Sequence, residues 1–248
     1  MKNISQQIQW LLRDKYAGKE SEAFLRDIKR LKKGEPLDYV IGFREFLSCH
    51  IDVSKKPLIP REETEYWVEK SLELLRATKK PLKVLDVFSG SGCIGLALLK
   101  HNKNAKVVFA DKDKKAIEQI RINVKKNSIK STRAKIIQSD IFSNIKGEFD
   151  VIFANPPYIP IVRKNKVQPS VLKHEPRRAL FGGADGLFYI KKLLGRAKSF
   201  LKKDGRMFIE FDAPQKKSIE KLLKKYQYQS WEFHKDQYQK WRWVSVRV

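Results

Sequence analysis

The chain has 248 residues and a formal net charge of +25, because 53 lysines and arginines stand against 28 aspartates and glutamates. Its apolar fraction of 42% is high enough to form a folded core, which excludes a disordered polycation. No run of roughly 20 apolar residues occurs. The N-terminus also lacks the apolar segment of a secretory signal, so we expect neither a membrane span nor export.

The cysteines, histidines and lysines indicate the surroundings of the protein. Cys49 and Cys93 cannot form a disulfide framework or a cysteine-based zinc site, and low cysteine usage is typical of the reducing cytoplasm. The four histidines show no metal-ligand spacing, so we expect no metal. Lysines spread along the whole chain are typical of solvated helix faces, although a basic surface also favours an acidic partner such as RNA near the ribosome. The oligomeric state is left open, with a monomer as the default.

The first quarter of the chain predicts a short helical segment followed by an extended one. Apolar residues at helical spacing indicate two helices before residue 34. Residues 37–60 are predicted to be extended, because turn formers are frequent and Pro57 and Pro60 oppose a helix. A charged helix is expected to follow. The predicted division is therefore a short N-terminal helical segment at 1–35, a hairpin or linker at 36–62 and a large domain at 63–248.

From residue 82 onwards the pattern alternates between strand and helix. Strands are predicted at 82–87, 106–110, 134–138, 149–154 and 206–211, and helices at 94–99, 114–124, 187–201 and 217–226. Two further extended segments are expected near the C-terminus, at 228–234 and 241–248. This alternation is typical of an α/β fold with a doubly wound parallel sheet, in which ligands bind beyond the carboxyl ends of the strands.

The loop after the first of these strands is rich in glycine. Gly90 and Gly92 allow the backbone to turn tightly and to approach a ligand, and the next helix presents free N–H groups. With Gly95 they satisfy the pattern G-x-G-x-x-G. The pattern alone is compatible with a nicotinamide cofactor, a nucleoside cofactor or close packing of strand on helix.

Acidic residues end the next two predicted strands. Asp111 lies about 20 residues after the glycine loop, where a carboxylate can accept hydrogen bonds from ribose hydroxyls. It could instead cap a helix, but the glycine loop favours the ribose. Asp140 could meet an adenine amino group, and the apolar pair Ile141 and Phe142 could pack on the adenine ring.

The loop after the fourth strand carries the strongest signal, with Asn155, Pro156, Pro157 and Tyr158 in succession. The prolines fix the backbone, so the Asn155 side chain and nearby carbonyls can be held as acceptors in fixed directions. Such acceptors match a planar NH₂ group, whose delocalised lone pair must be aimed at an electrophilic methyl group. The Tyr158 ring can cover that planar group.

This loop and the glycine loop together resemble the S-adenosylmethionine-dependent methyltransferases that modify exocyclic or amide nitrogens. Four motifs narrow the resemblance to the HemK/PrmC family, the protein-(glutamine-N5) methyltransferases of peptide-chain release factors. They are PLDYVIG at 36–42, REF at 44–46, LIPREETE at 58–65 and EPRRALFGGADG at 175–186. The resemblance covers about residues 34 to 248. It implies a Rossmann-like class I methyltransferase sheet in the domain at 63–248.

The resemblance also implies a role for each motif. The target in this family is the glutamine of the Gly-Gly-Gln motif of class 1 release factors, methylated by in-line transfer without a metal or a general base. The cofactor-binding residues it implies are Phe88, Ser89, Gly90, Ser91 and Gly92 for the methionine part, Asp111 for the ribose, Asp140 and Ile141 for the adenine, and Asn155. The implied substrate-binding residues are Asn155, Pro156, Pro157, Tyr158 and Arg61, of which Asn155, Pro156 and Tyr158 are catalytic. The loop from 159 to 186 would border the substrate channel.

The chain departs from the family pattern in three places. The N-terminal helical segment is shorter than is usual, Phe88 stands where a glycine is common, and Glu62 stands where a proline is common. The main alternatives are a nucleic-acid amino-methyltransferase acting on adenine N6 or guanine N2 and a ribosomal-protein glutamine methyltransferase. Both would need the same grip on an NH₂ group. A non-catalytic RNA-binding protein is disfavoured, because the glycines, Asp111 and the Asn155 loop are all intact. A nicotinamide dehydrogenase leaves the Asn155 loop unexplained.

Overall fold

The computed structural model describes residues 3–76 and 80–248. Residues 1 and 2 of the predicted N-terminal segment and 77–79 of the predicted large domain lie outside the described residues. As expected, two helices come first, α1 at Ile4–Tyr16 and α2 at Glu22–Lys32. The Ser21 hydroxyl caps α2 by accepting the Phe24 N–H at 3.2 Å. Buried Leu11, Phe24 and Leu31 hold these helices together in a small core of their own.

The prediction that residues 37–60 are wholly extended is wrong for the first five. Leu37–Ile41 forms a short helix, α3, before the antiparallel hairpin of β1 (Phe43–Phe46) and β2 (Cys49–Asp52). Pro36 precedes the first helical residue, where a missing N–H costs nothing, and Gly42 ends the helix at φ 103°. The prolines that oppose a helix lie only after the hairpin.

A second, larger unit follows with helices on both faces of one sheet. Its elements are α4 (Glu62–Leu75), β3 (Lys83–Val87), α5 (Cys93–His101), β4 (Lys106–Asp111), α6 (Lys114–Lys126), β5 (Ala134–Gln138), β6 (Phe149–Ala154), α7 (Pro169–His174), α8 (Phe188–Leu194), β7 (Leu201–Glu210), α9 (Lys216–Lys225), β8 (Ser230–Lys235) and β9 (Trp241–Arg247). The strand order is β5-β4-β3-β6-β7-β9-β8. The first five strands in that order are parallel, and β9 and β8 are antiparallel. The predicted α/β fold class, a Rossmann-like methyltransferase sheet with a short helical segment and a hairpin, is confirmed.

The predicted helix over residues 187–201 is too long. α8 ends before Gly195, a single 3₁₀ turn covers Ala197–Phe200, and β7 begins at Leu201, five residues before the predicted strand. Apolar residues continue at helical spacing through this region, so the pattern alone could not place the helix end. Leu201 instead pairs with Phe149 of β6 across an irregular register.

The hairpin is fastened to the sheet unit through the side chains of α6. Asn123 accepts the Asp52 N–H at 2.8 Å and donates to the Asp52 carbonyl at 3.1 Å. Asn127 likewise accepts the His50 N–H at 3.0 Å and donates to the His50 carbonyl at 2.8 Å. These amides satisfy the free edge of β2. The division at 1–35, 36–62 and 63–248 stays a prediction, although the hairpin shares one apolar core with the sheet. Within the described ranges, no helix has both the length and the apolar character to cross a membrane.

Candidate active site

A cavity of about 420 Å³ lies at the carboxyl edge of β3, β4, β5 and β6, where this fold binds its ligands. We call it the first cavity. Its lining includes most of the predicted cofactor-binding residues, namely Phe88, Ser89, Gly90, Ser91, Asp111, Asp140, Ile141 and Asn155. Of the predicted set, only Gly92 is missing from the lining. Loops that are separate in the sequence therefore meet at one edge of the sheet.

The loop after β3 has an unusual backbone. Phe88 has φ 60° and Gly90 φ 55°, both in the left-handed region that favours glycine. This explains why a glycine would suit position 88, and it marks a strained residue on the cavity wall. Gly92, at φ 82°, lies behind the loop at the start of α5, where a Cβ atom would stand 3.2 Å from Ile120. The absence of a side chain matters more at Gly95 than at Gly92, because a Cβ atom at Gly95 would stand 2.3 Å from the Phe109 ring.

Asp86 lies beneath this loop and was not singled out by the sequence patterns. It is fully buried on β3, and one carboxylate oxygen accepts the Gly95 N–H at 3.0 Å. Its other oxygen, Oδ1, has no hydrogen-bond partner among the described residues. Burial raises the pKa of Asp86 to about 8. The carboxyl group thus joins the first turn of α5 to the strand below the cavity.

Asp111 faces the first cavity with part of its carboxylate already used. One oxygen accepts the Gly90 N–H at 2.9 Å and the other accepts the Asp113 N–H at 2.8 Å. The helix-capping role considered for Asp111 belongs to Asp113, which caps α6 through the Lys115 N–H. Burial raises the pKa of Asp111, and the two backbone donors oppose that rise. A carboxylate has about four acceptor positions, so two remain for hydroxyl groups in the cavity.

The loop after β5 contributes an acid and an apolar side chain. Asp140 accepts a hydrogen bond from the Lys112 ammonium group at 2.8 Å. Ile141 has φ 56°, which is unusual for a β-branched residue, and its side chain lines the first cavity. Phe142 does not share this position: it is buried and stacks on Phe200 with ring centroids 4.4 Å apart. Only one member of the apolar pair therefore faces the cavity.

A second cavity of about 430 Å³ adjoins the first on the far side of the Asn155 loop. Asn155 and Arg61 line both cavities, Pro156 and Tyr158 line the second, and Pro157 lines the first. The four-residue loop thus forms the wall between two spaces. This arrangement could bring a group in one cavity close to a group in the other.

Arg61 is held in place by an ion pair. Its guanidinium group lies 2.6 Å from Glu175, whose side chain is completely buried and also accepts the Ile59 N–H at 3.1 Å. The long loop from 159 to 186, which carries Glu175, lines both cavities. Arg178 of that loop pairs with Asp113 at 2.8 Å across the mouth of the first cavity. The loop lies beside both cavities, and its role as the border of a substrate channel stays a prediction.

The most buried polar cluster of the site was missed by sequence analysis. Glu210, at the end of β7, accepts hydrogen bonds from the Thr64 hydroxyl at 2.7 Å, the Trp67 indole at 2.6 Å and the Tyr158 hydroxyl at 2.9 Å. Thr64 in turn accepts from the Asn155 amide nitrogen at 3.4 Å. Burial raises the pKa of Glu210, and the three donors and nearby Arg242 oppose the rise. An acid that ends an apolar strand beside the Asn155 strand is the only sequence signal that could have indicated it.

The grouping of possible metal ligands can be described for residues 3–76 and 80–248. No three His, Cys, Asp or Glu side chains are grouped there as ligands would be. Of the four histidines, His174 lines the first cavity.

Comparison with known proteins identifies the family. The family model described as "Methyltransferase small domain" matches residues 70–184. A release factor glutamine methyltransferase from Lactococcus lactis is 32% identical over 96% of this chain and 86% of that protein, and one from Thermodesulfovibrio yellowstonii is 37% identical over 78% and 69%. A solved methyltransferase from Pyrococcus furiosus, at 21% identity, shares the fold with a TM-score of 0.59 over 80% of this chain and 88% of that one. The resemblance that the motifs indicated is confirmed, and the chain belongs to the release factor glutamine methyltransferase family.

Proposed function

We propose that the protein transfers the methyl group of S-adenosylmethionine to the side-chain nitrogen, N5, of the glutamine in the Gly-Gly-Gln motif of a class 1 release factor. One observation carries this proposal: Asn155 lies in the wall between the two cavities and lines both. The cofactor would occupy the first cavity and the glutamine side chain would enter the second. The names of the curated relatives support the same substrate class.

The first cavity has the donors and acceptors that a nucleoside cofactor requires. The strained turn at Phe88 and Gly90 would wrap the methionine part, with Ser89 and Ser91 beside it. The two free acceptor positions of Asp111 would take the ribose hydroxyls. Asp140 and Ile141 would hold the adenine by its amino group and its face. When bound, the cofactor supplies an activated methyl group on a sulfonium, so no metal or covalent enzyme intermediate is required.

The residues of the second cavity would prepare the glutamine amide. An amide nitrogen is a poor nucleophile, because its lone pair is delocalised into the carbonyl group. If the Asn155 oxygen and the Pro156 carbonyl accept both amide hydrogens, they favour the pyramidal nitrogen of the transition state and aim its lone pair at the methyl carbon. The nitrogen–carbon bond forms as the carbon–sulfur bond breaks, and the methylated nitrogen then loses one proton to solvent. Tyr158 and Arg61 would enclose the substrate side chain.

The charge of the protein bears on where it meets its substrate. A net charge of +25 favours an acidic environment such as ribosomal RNA, whose phosphates would attract the lysine-rich surface. We place the reaction in the cytoplasm, where release factors act, and assume a monomer. Salt would then weaken any such association while leaving transfer to a free release factor unchanged.

The decisive experiment offers radiolabelled S-adenosylmethionine and three acceptors to the purified protein. They are a class 1 release factor, its variant with alanine in place of the Gly-Gly-Gln glutamine, and total RNA. We expect label on the unmodified release factor alone. Label on RNA would establish the nucleic-acid amino-methyltransferase instead, and equal label on both release factors would place the methyl group at another residue.

A further inference from the structure

We propose that Thr64 and Glu210 are positioning residues that determine which end of the Asn155 amide faces the substrate. This inference rests on the proposed function, because it explains how Asn155 could grip a substrate NH₂ group. The observation behind it is a chain of hydrogen bonds. It runs from the Asn155 amide nitrogen to the Thr64 hydroxyl at 3.4 Å and from that hydroxyl to the Glu210 carboxylate at 2.7 Å.

The direction of the chain starts at Glu210, whose Oε2 atom acts as an acceptor. Oε2 accepts from both the Thr64 hydroxyl and the Trp67 indole, while Oε1 accepts from the Tyr158 hydroxyl. The indole N–H can only donate, so it holds the Oε2 atom as an acceptor. Glu210 itself is 1% exposed, and water therefore does not compete for these bonds.

Thr64 has a single hydroxyl proton, which it donates in its hydrogen bond to Glu210. Its oxygen can then only accept from Asn155, so the Asn155 amide must present its NH₂ group to Thr64. The amide oxygen consequently points the other way, away from Thr64. In the opposite orientation, two oxygens without a shared proton would face each other, which is unfavourable in a buried site. The network thus selects one of two amide orientations that have nearly the same shape.

The same carboxylate also anchors the other end of the loop. Tyr158 donates to Glu210, and Asn155 is linked to Glu210 through Thr64. One buried carboxyl group on the neighbouring strand therefore holds both residues. The Trp67 ring stacks on Phe153, two residues before Asn155, with centroids 5.9 Å apart. The acceptor geometry is therefore determined from α4 and β7, which contribute no residue to the Asn-Pro-Pro-Tyr motif.

The test replaces Thr64 by valine, which keeps the shape but removes the hydroxyl. Single-turnover methyl transfer should slow by about 10- to 100-fold, while cofactor affinity stays within about twofold, because valine keeps the shape that Thr64 contributes to the wall of the first cavity. Thr64→Ser keeps the hydroxyl and should recover the rate to within about fivefold of the unmodified protein. Ser71→Ala is the matched control, because Ser71 is a buried hydroxyl of the same helix whose proton goes to the Trp67 carbonyl at 2.8 Å. The Ser71→Ala variant should be less stable than the unmodified protein but should transfer the methyl group at the same rate.

A double variant separates positioning from direct contact with substrate. In an Asn155→Ala background, Thr64→Val should change the remaining rate by less than about twofold, because Thr64 acts through Asn155. Additive losses would overturn the inference. Glu210→Gln provides a second test if Thr64→Val does not fold. Its amide oxygen can still accept from Thr64 and Trp67, so activity should stay within about tenfold.

The outcomes distinguish this inference from the proposed function. If the unmodified protein transfers no methyl group to a release factor, the proposed function fails. If it does transfer and Thr64→Val reacts at the unmodified rate, only the positioning network is refuted. A Glu210→Gln loss well above tenfold would also refute it, because the carboxylate would then act by itself.

Discussion

Asp111 in the first cavity is held by backbone groups that lie fairly close to it in the chain, whereas Asn155, which lines both cavities, is held by side chains that lie far from it. The backbone N–H groups of Gly90 and Asp113 hold Asp111, although residues 55–61 and 174–176 also line this cavity. In the second cavity, Asn155 is held through Thr64 and Glu210, which lie far before and far after it in the sequence. Binding of cofactor and alignment of the acceptor should therefore be separable by substitution.

Asn155→Ala should give the largest effect, and that effect should fall on the rate of methyl transfer. Loss of one preorganised acceptor at a reacting group should lower kcat by about 100- to 1000-fold. Cofactor affinity should change by less than about threefold, because the first cavity keeps its other walls. Isothermal titration and single-turnover kinetics on the same preparation would measure both quantities. Asn104→Ala, at an exposed loop position, is the control and should behave like the unmodified protein. Equal losses of affinity and rate would contradict the separation.

Asp111→Ala should do the reverse. Removing a charged acceptor should weaken the cofactor by about 10- to 100-fold, while the rate at saturating cofactor falls much less. Glu118→Ala is a suitable control, because Glu118 is an acid on nearby α6 that pairs only with Lys55 at the surface. An unaltered cofactor dissociation constant in the Asp111 variant would refute the ribose assignment.

Gly95→Ala tests the packing beneath the first cavity. The new methyl group would meet the Phe109 ring at 2.3 Å and Val107 at 2.9 Å, so the variant should lose about 1–3 kcal/mol of unfolding free energy. Gly195→Ala, whose nearest neighbour would be 3.3 Å away, should lose less. Urea denaturation of the two variants makes the comparison. A Gly95 variant as stable as the unmodified protein would show that this contact relaxes without cost.

Arg178→Ala should have the smallest effect. The side chain pairs with Asp113 across the mouth of the first cavity but is 62% exposed, and exposed ion pairs contribute about 0–1 kcal/mol. Cofactor affinity should fall by less than about fivefold, and the difference should shrink as salt concentration rises. A larger loss that persists in high salt would show that Arg178 contacts the cofactor itself.

The sequence predicts the first cavity well because its signals are local. A strand, a glycine turn and a strand-ending acid follow one another within a short stretch, and parallel strands then bring Phe88, Asp111 and Ile141 to one edge. The errors in the fold are also local: apolar residues continue at helical spacing past Gly195, where α8 ends, and Pro57 and Pro60 lie well after the short helix that begins at Leu37.

The buried network could not be predicted in the same way. In the sequence, Thr64 is typical of a helix start and Glu210 of the polar end of a strand. The two residues meet only because α4 packs beside β7. Asp86 is hidden for a similar reason, since its carboxylate is recognisable as buried only after α5 has folded over it. Side chains that act through tertiary contacts leave no periodic or spacing signal in one sequence.

In the proposed function, Asn155 separates a cofactor cavity from a glutamine cavity. The most direct measurement is a crystal structure of the protein with S-adenosylhomocysteine and a peptide containing Gly-Gly-Gln. We predict the nucleoside on Asp111 and Ile141, and the glutamine amide nitrogen about 3 Å from the Asn155 oxygen with its other face towards the sulfur. A glutamine amide bound elsewhere, or an Asn155 oxygen directed at Thr64, would contradict the account.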